Sequence, residues 1–335
     1  MKRISLLTTL LCIWFCMACT TQPKPSQSGA VRIILDTDIG PDYDDVGAMA
    51  VLHAMADSGK AEIIGTFASN KDSLVVPTIE VMNTYFGRPA IPVGGPKTKG
   101  VSLTASQHWP DSVVSRFPHQ TISTAKAPDA VAQYRKILAA QPDHSVTVVT
   151  IGFLTNLSNL LQSPADQVSP LNGTDLVAQK VKKLVSMAGM FPSGKEFNVY
   201  MDSTASIYCF QHWPTEVIFS GFEIGEKIKT GLKLVGQPWK DNPVREAFRI
   251  ALANSAEDHY GRMSWDQTAV LIATYGTEPF FTTVKGAMQV NADGSNGWKD
   301  DPNGKHAYVK FKMAPDSIAN FIEARMMHLP GRIKN

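Results

Sequence analysis

The stretch RIILDTDIGPDYDDVGAMAVLHAM, residues 32–55, crowds five carboxylates into the join between two elements. Val31 to Leu35 is short, β-branched and apolar, the pattern of a buried strand. Gly40 and Pro41 break the chain, and a run of small and apolar residues from Val46 onward reads as a helix. Between them fall Asp36, Asp38, Asp42, Asp44 and Asp45. Like charges this close repel strongly unless a cation neutralises them. An oxygen-only set with no His or Cys in the turn suits a hard ion, Ca²⁺ or Mg²⁺, better than zinc. A solvated turn explains Asp44 and Asp45, which favour a helix N-terminus. It does not explain Asp36 and Asp38 at the end of an apolar strand, so the stretch predicts a strand, a metal-binding turn and a helix.

Outward from this stretch, β-like runs alternate with helical ones. Glu62 to Phe67 reads as a strand ending at Ser69-Asn70, Thr78 to Phe86 as a helix, and Ile91 to Val93 as a short strand. Ala130 to Ala140 is a helix, Ser145 to Ile151 a strand, and Gly152-Phe153-Leu154-Thr155-Asn156 opens a further helix, with Asn156 expected to cap it. Lys183 to Ala188 and Glu216 to Phe219 are strands. The alternation predicts an α/β fold with a mostly parallel central sheet flanked by helices. Ligands in such folds sit outside the carboxyl ends of the strands, where the Asp cluster, Asn70, Ile151, Met187 and the Glu196-Phe197-Asn198 segment all fall. Residues 96–128 show little periodicity and are expected to form a mobile flap over the site, carrying His108 and His119 as candidate proton donors. Thr282 to Lys312 reads as a β-rich extension with turns at Asp293-Gly294 and Asn303-Gly304.

The N-terminus reads as an export segment. Lys2 and Arg3 precede an apolar run from Leu6 to Ala18, too short for a comfortable transmembrane span. Ala18-Cys19 resembles a bacterial lipoprotein cleavage site, with Cys19 the residue to be lipidated, although Cys16 stands where an aliphatic residue is usual. Residues 1–19 are therefore expected to be a signal, 20–30 a flexible tether, and 31–332 the folded domain. The expected location is the bacterial cell envelope, lipid-anchored on the periplasmic side of the outer membrane or free in the periplasm. Three of the 4 cysteines belong to the signal, which leaves Cys209 as an expected buried thiol and no disulfide framework. A formal charge of +2 over 335 residues, without basic runs, gives no support to nucleic-acid binding.

Asp36-Thr37-Asp38-Ile39-Gly40 followed by Asp44-Asp45 resembles the amino-terminal signature of the calcium-dependent, inosine-uridine preferring nucleoside hydrolases. Gly152-Phe153-Leu154-Thr155-Asn156, Glu196-Phe197-Asn198 with Asp202 behind it, and Trp265-Asp266 match further segments of that family, in family order. The resemblance implies an open, Rossmann-like fold, a nucleoside substrate and a homodimer or homotetramer. It implies that Asp38, Asp45, Asp266 and the Ile151 carbonyl hold Ca²⁺, that Asp38 is also the general base, and that Asp44, Asn70, Glu196 and Asn198 grip the ribose. Met187 would pack under the sugar and Trp265 against the base. The chain departs from the pattern twice. About two residues are added around Pro41-Asp42-Tyr43, so that Asp42 competes with Asp44 for its role. Trp265 stands where many members carry a histidine that protonates the leaving base, which resembles the purine-preferring branch.

Rival readings attach to some of the same residues. Asp-x-Asp after a first strand also marks aspartyl-nucleophile phosphatases, with Asp36 as nucleophile and Asp38 as acid and base. The missing histidine leaves room for a lipoprotein that binds nucleosides or sugars without turnover. Taken singly, Asn70 reads as a strand-end turn residue, Met187 as core packing, and Trp265 equally as core aromatic or stacking platform.

Overall fold

The computed structural model describes residues 29–331. The expected signal, Cys19 and most of the tether lie outside the described residues. The strands are β1 (Val31–Thr37), β2 (Ala61–Ala68), β3 (Val93–Gly94), β4 (Val146–Thr150), β5 (Val181–Met187), β6 (Ser193–Lys195), β7 (Glu216–Ser220), β8 (Lys229–Thr230), β9 (Arg262–Met263), β10 (Phe281–Val290), β11 (Ser295–Asp300) and β12 (His306–Phe311). Among the described residues, ten of them form one sheet in the order β3-β2-β1-β4-β5-β7-β12-β10-β11-β6, while β8 and β9 form a separate pair. From β3 to β12 the pairing is parallel; β10, β11 and β6 then continue it antiparallel. The expected α/β class and the β-rich extension are both present, and the extension joins the main sheet through β12 beside β7.

The sheet's two faces bury separate apolar layers, and β1 feeds both. Ile33 and Leu35 pack on one side and Ile34 on the other, as strand alternation requires. The same alternation sorts the polar residues that follow. Asp36 points to the face of Ile34, where Tyr134 lies, and Thr37 points to the opposite face, where its hydroxyl donates to Asp45. The two faces therefore receive different chemistry from one strand end.

The helix Asp44–Asp57 is buried nearly all round, wedged between the sheet, the helix Trp265–Tyr275 and the helix Pro315–Met326. Gly47 is what allows the close approach, because a Cβ there would lie 2.4 Å from Nε2 of Gln267. That contact brings the first turn of one helix, with Asp45, against the first turn of the other, with Asp266.

Residues 96–128 are packed down rather than free. They contain the helix Trp109–Arg116, and Trp109 is fully buried. Glu80 accepts from the backbone amides of Gln120 and Thr121 at 2.8 and 2.6 Å, and Arg116 reaches Glu246 at 2.5 Å. The aperiodic sequence hid this because its anchors are single long-range polar contacts, which leave no repeat. Cys209 is a free buried thiol, as expected, and burial pushes its ionisation upward.

Candidate active site

A cavity of about 420 Å³ opens at the carboxyl edge of the parallel strands, a size suited to a small organic ligand. Asp38, Asp44, Asp45, Ile151, Met187, Glu196, Asn198, Trp265 and Asp266 all line it. Nine of the residues singled out in the sequence thus converge on one wall system. Of the substrate and metal residues expected there, Asn70 alone does not line the cavity. Its amide nitrogen donates to the Asp38 and Leu103 carbonyls at 3.3 and 2.8 Å, and its oxygen accepts from the Leu103 and Asp72 amides at 3.0 and 3.1 Å. In this structure Asn70 is a clasp between the strand end and residues 101–104.

The aspartates divide into three groups by partner. Asp36 is wholly buried on the far face, accepting from the Tyr134 hydroxyl and the Asn156 amide, each at 3.0 Å. Burial raises its pKa to about 7 in spite of those donors. It lines no part of the cavity, so the phosphatase reading loses its nucleophile. Asn156 also departs from expectation, because no side chain caps the helix Thr155–Gln162. Its amide instead clamps Asp36 and, at 2.7 Å, the Ala68 carbonyl.

Asp38, Asp45 and Asp266 form the second group. All three are buried, and none has a cationic side-chain partner among the described residues. Each is held well above the usual carboxylate range, first by burial and then by the neighbouring aspartates. Gly152 at the end of β4 permits this crowding, since a Cβ there would come within 2.7 Å of an Asp38 carboxylate oxygen. Among the described residues no three His, Cys, Asp or Glu side chains are gathered into a closed metal-binding group. The set nevertheless suits a hard cation in donor chemistry, all oxygen, and in charge, three buried carboxylates without a counter-ion.

The third group, Asp42, Asp44 and Asp258, surrounds Arg262. The guanidinium donates to Asp44 Oδ1 through Nε at 3.0 Å and Nη2 at 2.8 Å, reaches Asp42 at 2.7 Å and faces Asp258 at 3.8 Å. Burial lifts Asp44 and Arg262 opposes it; Arg262 in turn, against its own burial, is held more firmly protonated by Asp44 and Asp42. The forked contact is that of an ion pair. Both contenders for the ribose role, Asp42 and Asp44, are thus tied to one arginine. Sequence reasoning passed over Arg262, Asp258 and Tyr43. The only trace was that Arg262 lies four residues before Asp266, which by itself says nothing.

The remaining wall is more open to a ligand. Glu196 caps the helix Phe197–Met201, accepting from the amides of Asn198 at 2.8 Å and Val199 at 3.3 Å, and also from Gly189 at 3.0 Å. Burial raises its pKa to about 7 against those bonds. Asn198 donates to the Ile151 and Met187 carbonyls at 3.3 and 3.2 Å, which leaves its own amide oxygen without a protein partner among the described residues. Trp265 is half-buried, its N–H donating to the Phe222 carbonyl at 2.8 Å and its ring centroid 5.2 Å from that of Phe222. His108 and His119 do not line the cavity; His108 is largely exposed and His119 turns to the Phe117 carbonyl.

The family model described as inosine-uridine preferring nucleoside hydrolase matches residues 33–313, from β1 to just past the end of β12. The chain belongs to this nucleoside hydrolase family. Solved structures agree in fold. A purine-preferring ribonucleoside hydrolase from Gardnerella vaginalis is 18% identical, with 88% of this chain and 98% of that one covered and a TM-score of 0.67. An inosine-guanosine nucleoside hydrolase gives 19%, 89%, 99% and 0.68, and a plant nucleoside hydrolase 19%, 89%, 99% and 0.65, in the same order. Comparison with curated protein sequences finds no match. This nucleoside hydrolase therefore shares the family's fold over its full breadth while keeping few of its relatives' residues. The convergence of residues from three of its family motifs, Asp38 with Asp44 and Asp45, Glu196 with Asn198, and Trp265 with Asp266, on one cavity is accordingly the more telling observation.

Proposed function

We propose that the chain hydrolyses the N-glycosidic bond of nucleosides, purine ahead of pyrimidine, with a Ca²⁺ ion held by Asp38, Asp45, Asp266 and the Ile151 carbonyl. One observation carries the reading: three buried carboxylates without a cationic partner line the same cavity as Glu196, Asn198 and Trp265. When bound, the ion would supply Lewis acidity toward water and an anchor for the sugar hydroxyls. Cleavage passes through an oxocarbenium-like state, and the surrounding carboxylates favour positive charge on the sugar. Asp38 accepts the proton of the attacking water. The free amide oxygen of Asn198 and the remaining acceptor capacity of Glu196 receive sugar hydroxyls, and Met187 supplies an apolar floor. Trp265 and Phe222 wall the base end. The indole of Trp265 cannot donate a catalytic proton, and the departing base takes its proton from solvent. Incubating the purified protein with inosine, guanosine, adenosine, uridine and cytidine, and following release of base and ribose, tests the reading. Failure to cleave any of them, with ligand still bound, would favour the non-catalytic binding protein.

Purine preference rests on the aromatic wall, because a purine offers the larger π-surface. Such contacts add roughly 0.5–1.5 kcal/mol beyond area burial, so Trp265→Leu is expected to lower kcat/KM for inosine about two- to tenfold and to affect uridine less. Equal loss on both substrates, or none, would return Trp265 to a packing role.

We further infer that Cys19 is lipidated and the domain exported. The apolar N-terminal run and Ala18-Cys19 support this, and Thr20 and Thr21 lack the aspartate that retains lipoproteins at the inner membrane. No helix among the described residues is long and apolar enough to cross a membrane. Cys19→Ser is expected to move the protein from the membrane to the soluble fraction, and unchanged sedimentation would remove the lipid anchor from the account.

A further inference from the structure

Arg262 stands among the carboxylates of this site with only 10% of its side chain exposed, yet it lines the cavity. Its guanidinium is held between two residues of the site, Asp44 and Trp265, and three that the reaction does not use, Asp42, Tyr43 and Asp258. It forks onto Asp44 at 3.0 and 2.8 Å and pairs with Asp42 at 2.7 Å. It lies 5.0 Å from the centroid of the Tyr43 ring and 5.0 Å from that of Trp265. Tyr43 donates its hydroxyl to Asp258 at 2.7 Å, and Asp258 faces the same guanidinium. Asp42 and Tyr43 are residues of the lengthened aspartate loop. The insertion and the arginine therefore form one assembly, in which the added loop residues grip a cation supplied from β9.

The consequences reach both halves of the cavity. Asp44 is fixed by Arg262 on one oxygen and by the Asp266 amide, 3.3 Å away, on the other. Trp265 meets the guanidinium at one contact and the Phe222 carbonyl at another. We propose that Arg262 is a positioning residue for nucleoside binding, one buried side chain that sets the Asp44 carboxylate at the sugar end and the Trp265 ring at the base end. This rests on the nucleoside hydrolase reading of the site. A lysine cannot replace it, because an ammonium offers neither the planar spread of N–H donors that meets Asp44 and Asp42 together nor a flat surface to lie against two aromatic rings.

The test compares wild type, Arg262→Ala and Arg262→Lys in steady-state kinetics on inosine and uridine, in calorimetric nucleoside binding and in thermal melting. Truncating one partner of a buried ion pair leaves the other charge unpaired; with Asp44 and Trp265 both released, Arg262→Ala should show this mainly as a KM raised on the order of tenfold. Millimolar guanidinium, well below denaturing levels, should restore part of that loss by entering the vacated space. Arg262→Lys should melt close to wild type yet keep a raised KM that guanidinium does not correct. A lysine variant with wild-type KM overturns the proposal, as does an alanine variant that folds and binds nucleoside normally. Should the alanine variant fail to fold, the lysine variant decides alone. A wild type that cleaves neither nucleoside sinks the hydrolase reading instead, and nucleoside affinity in the same variants then decides whether Arg262 positions the ligand.

Discussion

Asp38→Asn is expected to abolish most turnover while making the metal-free protein more stable. The carboxylate sits just past the end of β1, buried, and pressed by Asp45 and Asp42. A positioned general base contributes roughly 10²- to 10⁴-fold, so kcat/KM should fall by about that much. Asparagine has nearly the same shape and keeps the fit against Gly152, so the fold should survive. The stability change follows from the same crowding. Burial and like charges penalise ionised Asp38 in the folded state, and a neutral amide escapes that penalty. A gain of even ~1 kcal/mol would raise the melting temperature about 1–2 °C in a protein of this size. Activity within tenfold of wild type would remove Asp38 from the chemistry. A lower melting temperature in chelator would show that its charge is already balanced within the protein.

The contrast with Asp36 marks where the sequence was legible. Two aspartates two residues apart at a strand end look equivalent as letters, and only the partners on either side of the sheet distinguish them. Asp36 meets Tyr134 and Asn156, while Asp38 opens onto the cavity. The parallel core could be read because each strand is a short apolar run, and Asp38, Ile151 and Met187 lie at or just past the carboxyl ends of β1, β4 and β5. The packing of residues 96–128 could not, since Trp109, Glu80 and Arg116 are tied to residues far away in the chain. Arg262 escaped for a related reason. Its meaning lies in Asp42, Asp44 and Asp258 around it, and the pairing with Asp44 spans 218 residues. Competition between Asp42 and Asp44 was visible in the lengthened loop, but not that one arginine engages both.

Removing divalent metal is expected to have an effect as large as losing Asp38, with the opposite sign for stability. Arg262 compensates Asp42 and Asp44, so the uncompensated charge resides on Asp38, Asp45 and Asp266. A cation that binds only the folded state stabilises it by mass action, about 2.7 kcal/mol at one hundred times its dissociation constant. For a chain of this length that corresponds to a rise of roughly 4 °C in melting temperature on adding Ca²⁺ to chelated protein. Nucleoside cleavage should vanish in chelator and return with Ca²⁺. Zn²⁺ should restore it poorly, because the donors are all oxygen. Elemental analysis of Asp45→Ala should find the ion lost. That variant also strips the Thr37 hydroxyl of its acceptor, so its melting curve must be compared in chelator, where the metal makes no contribution. Protein that arrives with zinc, or melts and turns over identically with and without chelator, would refute the calcium site. The three carboxylates would then have to share protons rather than a metal, which their burial and mutual repulsion also permit.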